Sequence, residues 1–452
     1  MPPPNILFIV LDDLNAWIGA LGRHPQAQTP HIDALARRGV LFENAYCSAP
    51  YCNASRMGLF TGQLPSTLGI YDNEPFWANP ARPPVFIERL REAGYRSFGA
   101  GKVFHGVFDY ASAGASGARE AAWIEVENRV AIWDGYADST AEPLPLNRPM
   151  NRLFDFSAFD QVPPMYRHFD WGPLPAESEG ATPDAAVVRA VSAYLAQSTA
   201  PFFCAAGIYK PHLPWHAPQR FFDLYDRDTI VLPQVRDDDL DDVPPIGRQW
   251  ALNPPDHELV TSRGVWRDAV RGYLACVSYA DHIVGQIIAA LDASPARDNT
   301  AIILCGDNGF HLGEKLHWRK FALWEEATRV PLIVVPPGGA SGVRVREPVS
   351  LIDICPTVLD LAGLGAPDGE ASSLMRFASN ADAKRARPVI TTWLKGNHSL
   401  RDARYRYTRY SDGGEELYDH AADPYEWTNL ASQQRDLCGR FSAAIDAQCG
   451  AG

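Results

Sequence analysis

The sequence lacks several features that would assign it to a familiar class of protein. Its 8 cysteines include no Cys-x-x-Cys pair, which disfavours zinc knuckles and thioredoxin-like redox sites. It contains no run or stripe of Lys and Arg, and its formal net charge is -13, so no nucleic-acid partner is expected. No apolar run reaches the length of a membrane span, so we expect no membrane partner either.

The N-terminus also lacks the marks of a secretory leader. It has neither the basic start nor the apolar core of a signal peptide. We therefore expect a cytoplasmic protein, or a periplasmic one if a leader was removed. The length of 452 residues predicts one large domain with an appendage, or two to three domains. The sequence is compatible with a monomer or with an oligomer.

Short apolar runs that end in polar residues alternate with helical patterns along the chain. Four of them predict buried parallel strands, at Asn5–Leu11, Ser97–Gly101, Phe202–Ile208 and Ala301–Cys305. Charged or metal-binding residues follow each run, and ligands of open α/β sheets collect beyond the carboxyl ends of the strands. The clearest helix is predicted at Val265–Leu291, where apolar residues keep a 3.6-residue period. This alternation predicts an α/β layer fold.

The predicted pattern of strands and helices changes near residue 366. Val389–Trp393 and Arg404–Tyr410 predict antiparallel strands, and a last helix is predicted near Arg435–Ala447. We therefore predict a catalytic domain over residues 1–366 and a C-terminal subdomain over residues 367–452.

Two pairs of residues with oxygen ligands in their side chains follow the first and the last of the four predicted strands. They are Asp12-Asp13 and Asp307-Asn308. Oxygen-only ligands suit Ca²⁺ or Mg²⁺ and disfavour zinc or copper. Neighbouring carboxylates repel each other unless a cation lies between them. The sequence therefore predicts a divalent-metal site made from both pairs.

A cysteine motif lies between these pairs in the sequence. Cys52-Asn53-Ala54-Ser55-Arg56 precedes a segment that ends in Thr61-Gly62. This resembles the nucleophile motif of the type I sulfatases, Cys-x-Pro/Ala-x-Arg followed by a turn that ends in Thr-Gly. The resemblance continues over nearly the whole chain, and the motif sequences are most similar to those of iduronate sulfatase and its bacterial relatives. Further matching segments are Gly101–Gly106, Lys210–Pro214, Trp318–Lys320 and Glu416–Leu430.

The resemblance implies an alkaline-phosphatase-like fold, with a large mixed sheet flanked by helices and a small C-terminal antiparallel sheet with one helix. It also implies that a formylglycine-generating enzyme oxidises Cys52 to formylglycine. One hydroxyl of the hydrated aldehyde would attack sulfur, and deprotonation of the other would expel sulfate. By the same resemblance a calcium ion, with magnesium the weaker alternative, is held by Asp12, Asp13, Asp307 and Asn308 together with the modified Cys52.

The matching segments also imply roles for cations and histidines. Arg56 would hold the diol, Lys102 would bind sulfate or the diol, and His105 would be the base that collapses the intermediate. His212 would contact the sulfate or protonate the leaving oxygen. In the segment Trp318-Arg319-Lys320, Lys320 is the implied sulfate ligand and Arg319 is the competing cation.

Substrate choice is predicted to depend on two variable regions. One is Tyr110–Arg167, which is rich in Pro, Ala and Asn and is predicted to form loops at the mouth of the site. The other is the segment around His398, a predicted substrate-binding residue. A sulfated sugar or a small alkyl or aryl sulfate fits these features. Two alternatives stay open: hydrolysis of phosphodiesters or phosphonate monoesters on the same scaffold, and a non-catalytic anion-binding protein in which Cys52 is never converted.

Overall fold

A large mixed β-sheet forms the centre of the computed structural model. The model describes residues 3–450 except 75, 78, 106–131, 138–149, 152, 155–161, 199–200, 341 and 367–368. The strands are β1 (Asn5–Leu11), β2 (Val40–Tyr46), β3 (Arg96–Gly101), β4 (Gly135–Ala137), β5 (Trp171–Leu174), β6 (Phe202–Ile208), β7 (Trp215–Pro218), β8 (Thr300–Gly306), β9 (His311–Leu312), β10 (Trp318–Arg319), β11 (Arg329–Val335), β12 (Val343–Val345), β13 (Val349–Ser350), β14 (Val389–Thr392), β15 (His398–Arg401), β16 (Tyr405–Arg409) and β17 (Glu415–Asp419).

Helices flank this sheet and connect its strands. They are α1 (Pro30–Arg38), α2 (Cys52–Thr61), α3 (Pro65–Leu68), α4 (Phe86–Glu92), α5 (Pro183–Gln197), α6 (Gln219–Phe222), α7 (Pro245–Leu252), α8 (Asp256–Ser262), α9 (Trp266–Asp292), α10 (Glu325–Thr328), α11 (Ile354–Leu361), α12 (Arg376–Ser379) and α13 (Arg435–Cys449).

Strand β1 lies inside the large sheet, whose order is β12-β2-β11-β8-β1-β6-β3-β4, with β13 also paired to β2. It pairs in parallel with β6 and β8, while β11 runs antiparallel to β8 and β2. Leu11 is level with Ile208 on one side and with Gly306 on the other. The carboxyl ends of three neighbouring strands therefore meet at one edge of the sheet.

Both faces of β1 are buried, as its continuous apolar sequence requires. Successive side chains of a strand point to opposite faces. Leu7, Ile9 and Leu11 accordingly share a core with residues of α5 and α9. Ile6, Phe8 and Val10 share a second core with residues of α2, α4 and α11. The two helical layers thus hold the sheet, and with it the strand ends, in a fixed position.

Helix α9 packs along one face of the sheet. Among the described residues it is the one helix whose length and composition would allow it to cross a membrane, with a mean hydropathy of 1.5 in its most apolar window. However, 78% of that window is buried inside the protein, which is typical of the core helix of a globular domain.

The C-terminal sheet is an antiparallel meander of β14 to β17 with α13 packed against it. Its first strand contacts the segment before α2: Thr392 N donates to Ser48 O at 2.8 Å, and Thr391 Oγ1 donates to Cys47 O at 2.6 Å. Arg406 on β16 is buried and donates to the carboxylates of Glu325 and Glu426. Charged and polar contacts therefore fasten this sheet to the segments that form the site.

The predicted α/β architecture, with its large mixed sheet and its small C-terminal sheet and helix, is confirmed. The four predicted strands correspond to β1, β3, β6 and β8, and the clearest predicted helix corresponds to α9. The loops predicted at Tyr110–Arg167 fall largely outside the described residues. Within that stretch, Gly135–Ala137 forms the edge strand β4 beside β3, so the loop prediction is wrong there. The domain boundary at 366/367 adjoins residues 367–368, which are not described, and it stays a prediction.

Candidate active site

The acidic residues of the candidate site leave the sheet side by side. Leu11 and Gly306 are partners where β1 and β8 end, so the pairs Asp12-Asp13 and Asp307-Asn308 follow at neighbouring positions. Asp13 N donates to Asp307 Oδ1 at 3.0 Å. All four side chains are buried. The prediction that these two strand ends bring their acidic residues together is confirmed.

Cys52 is the first residue of α2, and its side chain is buried among the charges of the site. The thiol donates to Asp12 Oδ1 at 3.3 Å, and Sγ accepts a hydrogen bond from Lys320 Nζ at 2.7 Å. Lys102 Nζ lies 3.9 Å from the same sulfur. Arg56 follows one helical turn later, and residues four apart lie on the same helix face. This neighbourhood explains the Cys-x-x-x-Arg spacing of the motif.

Arg56 in α2 and Lys102, which follows β3, both bind carboxylates of the site. Arg56 Nε donates to Asp307 Oδ2 at 2.8 Å, and a second N–H group donates to Val103 O at 2.9 Å. Lys102 Nζ donates to Asp12 Oδ2. Both cations are buried, and each is paired with a carboxylate, as buried charges must be.

Lys320 enters the site from a loop with an unusual backbone. Its ammonium group donates to Asp13 Oδ1 at 2.6 Å as well as to Cys52 Sγ. The preceding residue, Arg319, has a φ of +76° and turns its guanidinium away, where Nε donates to Asp256 Oδ2 at 2.6 Å. The two candidates for the sulfate ligand are therefore separated: Lys320 contacts the Cys52 cluster, and Arg319 forms an ion pair outside it.

The electrostatics of the cluster keep the thiol protonated. Burial and the charge of Asp12 raise the pKa of Cys52 well above its usual value, although Lys102 and Lys320 oppose the rise. Burial also works against ionisation of Asp12, but Lys102 and the other nearby cations hold its pKa well below the ordinary value. Burial raises the pKa of Asp307 to about 6 in spite of Arg56. An unmodified cysteine with a raised pKa is a poor nucleophile.

The same residues could hold a metal ion. One ligand atom from each of four side chains lies within 4.8 Å of the others, and these side chains are Asp12, Asp13, Cys52 and Asp307. Asn308 Oδ1 is buried and has no hydrogen-bond partner within the described part of the chain, while its amide donates to Asp13 Oδ1 at 2.8 Å. Carboxylate and amide oxygens in this number suit a hard divalent cation.

A second cluster of possible ligands comprises Glu325, His420 and Glu426. The guanidinium of Arg406 binds both carboxylates of this cluster, and His420 Nε2 lies 2.8 Å from Glu426 Oε1. These ion pairs fasten the C-terminal sheet to the rest of the protein.

Of the three predicted histidines, His212 contacts the cluster and His105 interacts electrostatically with its charged groups. His212 Nε2 lies 3.7 Å from Asp13 Oδ2, and burial lowers the pKa of His212 to about 4. Burial and Lys102 lower the pKa of His105 well below its usual value, and its Nδ1 has no partner among the residues described. Both imidazoles are therefore neutral near pH 7, a state in which they can accept a proton.

His398 has its contacts elsewhere. It is buried at the start of β15, where Nδ1 lies 3.0 Å from Thr392 Oγ1, and its electrostatic neighbours are Arg409 and Asp446. The structure does not bring it to the Cys52 cluster through any of these contacts. Its role as a substrate ligand stays a prediction.

One supporting residue was missed from the sequence. Asp184 is buried near the start of α5 and accepts N–H groups from Tyr209 at 2.7 Å and Lys210 at 3.2 Å. Lys210 in turn donates to His212 O at 3.2 Å. These bonds fix the segment that carries His212. An acid in the first turn of a helix reads as an ordinary helix-dipole residue, so the pattern gave no sign of this role.

Comparisons with known proteins agree with this geometry. The family model described as Sulfatase matches residues 4–364, and a model for the C-terminal part of N-sulphoglucosamine sulphohydrolase matches residues 313–438. A sulfatase of Formosa agariphila is 37% identical over 98% of this chain and 85% of its own length. A choline-sulfatase of Rhizobium meliloti is 28% identical over 96% of this chain and 83% of its own.

Solved structures share the fold. A 2-O GAG sulfatase superposes with a TM-score of 0.72 at 23% identity, over 98% of this chain and 91% of that chain. A phosphonate monoester hydrolase of Agrobacterium radiobacter superposes with a TM-score of 0.77 at 20% identity, over 98% and 95%. The family model and the Formosa relative both cover most of the chain, and the matched region contains every residue of the Cys52 cluster. The chain therefore belongs to the sulfatase family and is a sulfatase-type hydrolase.

Proposed function

We propose that this protein hydrolyses organic sulfate esters, with formylglycine made from Cys52 as the nucleophile and Ca²⁺ held by the pairs Asp12-Asp13 and Asp307-Asn308. The observation that carries the proposal is the position of Cys52 Sγ, 2.7 Å from Lys320 Nζ and 3.3 Å from Asp12 Oδ1. An atom that attacks an anionic ester has to lie where cations converge. Cys52 lies at such a point.

The charges of the cluster suit a singly charged ester. Three carboxylates are paired with three cations in the structure, so the cluster is neutral by itself: Asp12, Asp13 and Asp307 with Arg56, Lys102 and Lys320. A divalent cation would add two positive charges. One would balance a sulfate monoester, and the other would balance the charge that develops in the transition state. A phosphonate monoester carries the same charge, so charge alone does not separate the two substrate classes.

The donor set fits the groups that the family uses. When present, the modified residue supplies a hydrated aldehyde with two hydroxyls, and Ca²⁺ supplies positive charge at the sulfate oxygens. Asn308 Oδ1, which is buried without a partner among the described residues, is a free oxygen ligand of the kind that Ca²⁺ needs.

The cationic and histidine side chains of the site then have different roles in the reaction. Lys320 and Lys102 bind the sulfate oxygens and the nucleophile, since both ammonium groups already lie near Sγ. Arg56 fixes Asp307 and the start of α2. His105 accepts the proton whose loss releases sulfate, and His212 serves the leaving oxygen. A neutral His105 can act as a base without any prior change. His212 has to take up a proton before it can donate one to the leaving oxygen.

The substrate is a sulfated sugar or a small alkyl or aryl sulfate. One structural neighbour, with a TM-score of 0.72 at 18% identity over 99% of this chain and 98% of that chain, was solved with its substrate D-glucosamine-2-N,6-O-disulfate. Among the relatives, an ulvan-active sulfatase of Formosa agariphila is 27% identical over 94% of this chain and 77% of its own length. These two names support the sugar sulfate, and the name of the choline-sulfatase of Rhizobium meliloti supports the small alkyl sulfate.

The mass of the Cys52 peptide and an ester assay together test the proposed function. The protein is produced with a formylglycine-generating enzyme, and we expect the peptide to lose about 18 mass units as CH₂SH becomes CHO. The modified protein should hydrolyse an aryl sulfate faster than the matched aryl phosphonate or phosphodiester. Faster cleavage of either phosphorus ester would make it a phosphonate or phosphodiester hydrolase. An unmodified thiol without turnover would favour a non-catalytic anion-binding protein.

Removal of one acidic ligand should reduce both metal content and activity. In Asp307→Ala we expect bound Ca²⁺ to fall well below one ion per chain after dialysis, because one of three carboxylates is lost. We expect kcat/KM to fall about a hundredfold or more. Elemental analysis and steady-state kinetics measure both. Asp134→Ala is the control, since Asp134 pairs with Arg91 outside the site. Unchanged metal content in Asp307→Ala would contradict the ligand assignment.

A further inference from the structure

Three aromatic residues form a cluster beside the reacting groups. We propose that Tyr51, Phe321 and Trp393 form the subsite for the leaving group, and that they bind the flat face of an uncharged ring. This inference rests on the proposed function and specifies its substrate class. Together these three residues make up the aromatic subsite.

The cluster is joined to the reacting residues through the chain. Tyr51 immediately precedes Cys52, and Phe321 immediately follows Lys320. Phe321 N donates to Pro50 O at 3.4 Å, which holds the two loops together. The ring centroids of the aromatic subsite lie 5.5 to 5.6 Å apart in all three pairs. The Tyr51 centroid also lies 6.0 Å from Lys320 Nζ, so the cluster borders the predicted sulfate position.

These rings are not ordinary core residues. Within the described part of the protein, none of them belongs to the packed hydrophobic cores. Tyr51 and Phe321 are half-buried, Trp393 is buried at 8% exposed, and the neighbouring Leu394 is 37% exposed. Two half-open rings packed on a buried one beside a catalytic cluster are typical of a ligand-binding wall.

The backbone at Phe321 supports a functional role for its ring. Phe321 has a φ of +47°, a left-handed conformation that is costly for a bulky residue. Strained residues of this kind cluster at ligand-binding and active sites, where the surrounding structure holds them in place. The strain here places Lys320 at the sulfur and Phe321 against Tyr51 and Trp393.

The charges near the rings favour an uncharged ring over a cation. Aromatic faces also attract quaternary ammonium groups, but the ammonium of Lys320 already lies over Tyr51 and would repel a second cation there. The Tyr51 hydroxyl accepts a hydrogen bond from Asn73 Nδ2 at 2.6 Å, and Asn73 is exposed. The wall therefore offers apolar faces with a polar rim, which suits an arene or the C–H face of a sugar ring.

Kinetics on matched esters test the aromatic subsite. The variants are Tyr51→Leu, Phe321→Leu and Trp393→Leu, and Tyr425→Leu is the control because Tyr425 is an exposed ring that stacks on Trp427. The substrates are 4-nitrophenyl sulfate, a monosaccharide 6-sulfate and choline O-sulfate. Inorganic sulfate serves as an inhibitor that fills only the sulfate position. All rates are divided by the formylglycine content of each preparation, since Tyr51 adjoins Cys52.

We expect KM for a ring sulfate to rise about tenfold in each subsite variant, equivalent to about 1.4 kcal/mol of binding, with Ki for inorganic sulfate unchanged. The ester whose KM rises more, aryl or sugar, identifies the ring. A parallel rise in Ki for sulfate would overturn the proposal, because the rings would then only position Lys320 and Cys52. A larger loss with choline O-sulfate than with either ring would also overturn it. Unchanged KM values in an active protein would reject the subsite alone, whereas a wild-type protein without sulfatase turnover would reject the proposed function as well.

Discussion

Turnover of an aryl sulfate should disappear in Cys52→Ala, to less than about a thousandth of the wild-type rate. The alanine side chain can neither become an aldehyde nor supply any other nucleophile. The fold should survive, because Cys52 is the first residue of α2 and alanine is the best helix former. The substitution removes one buried sulfur whose main contacts are to polar groups of the site. Steady-state kinetics and thermal unfolding measure the two effects.

Cys47→Ala is the matched control for this substitution. Cys47 is also buried, five residues earlier in the sequence, but its Sγ lies 3.7 Å from Ala327 O and is not in the charged cluster. Its loss should leave kcat close to the wild-type value. If Cys52→Ala kept more than a few per cent of the activity of a fully modified wild type, Cys52 would not be the nucleophile.

The second large effect is expected from Lys320→Ala, which should lower kcat/KM by a factor of about 10² to 10³, the usual effect of losing one charged donor at a reacting centre. Lys320 Nζ contacts both Cys52 Sγ and Asp13 Oδ1. Its removal leaves Asp13 short of a partner and takes a cation from the sulfate position. Kinetics with an aryl sulfate, and Ki for inorganic sulfate, measure the loss.

Arg319→Ala is the comparison, because it removes an adjacent cation of the same loop. Arg319 pairs with Asp256 and contacts no member of the cluster in its hydrogen bonds. Its loss should reduce kcat/KM less than tenfold. The opposite ranking of the two variants would make Arg319 the sulfate ligand and Lys320 a structural partner of Asp13.

The local parts of the fold could be predicted from the sequence. Continuous apolar runs located β1 and β6 at their observed bounds, because a parallel strand buried on both faces leaves a clear pattern. The 3.6-residue period located α9. The metal-ligand candidates were also predictable, since polar residues at the ends of parallel strands must meet at one edge.

Other features depended on contacts between distant parts of the chain. Strand β11 runs antiparallel to both of its neighbours, β8 and β2, and no short sequence pattern encodes that pairing. The aromatic subsite was also missed: Tyr51 and Phe321 are 270 positions apart, and only the fold shows that their rings touch. His398 was predicted as a substrate ligand because it is a polar residue in a variable segment. The sequence did not indicate that pairing of its strand with β14 and β16 would bury it.

The burial of Cys52 has a consequence for how active protein is made. Cys52 is 2% exposed, and Asp12 after β1 and Lys320 both contact its sulfur. Under the proposed conversion of Cys52, we expect the maturation enzyme to act on the newly synthesised chain, because it could not reach the thiol once the segments that carry Asp12 and Lys320 have assembled around it. Conversion and folding would then compete, and each molecule would either be converted before it folds or keep an unmodified Cys52. The specific activity of a preparation would report the ratio of these two rates during synthesis, and a condition that slows folding more than conversion would raise the active fraction without any change in sequence.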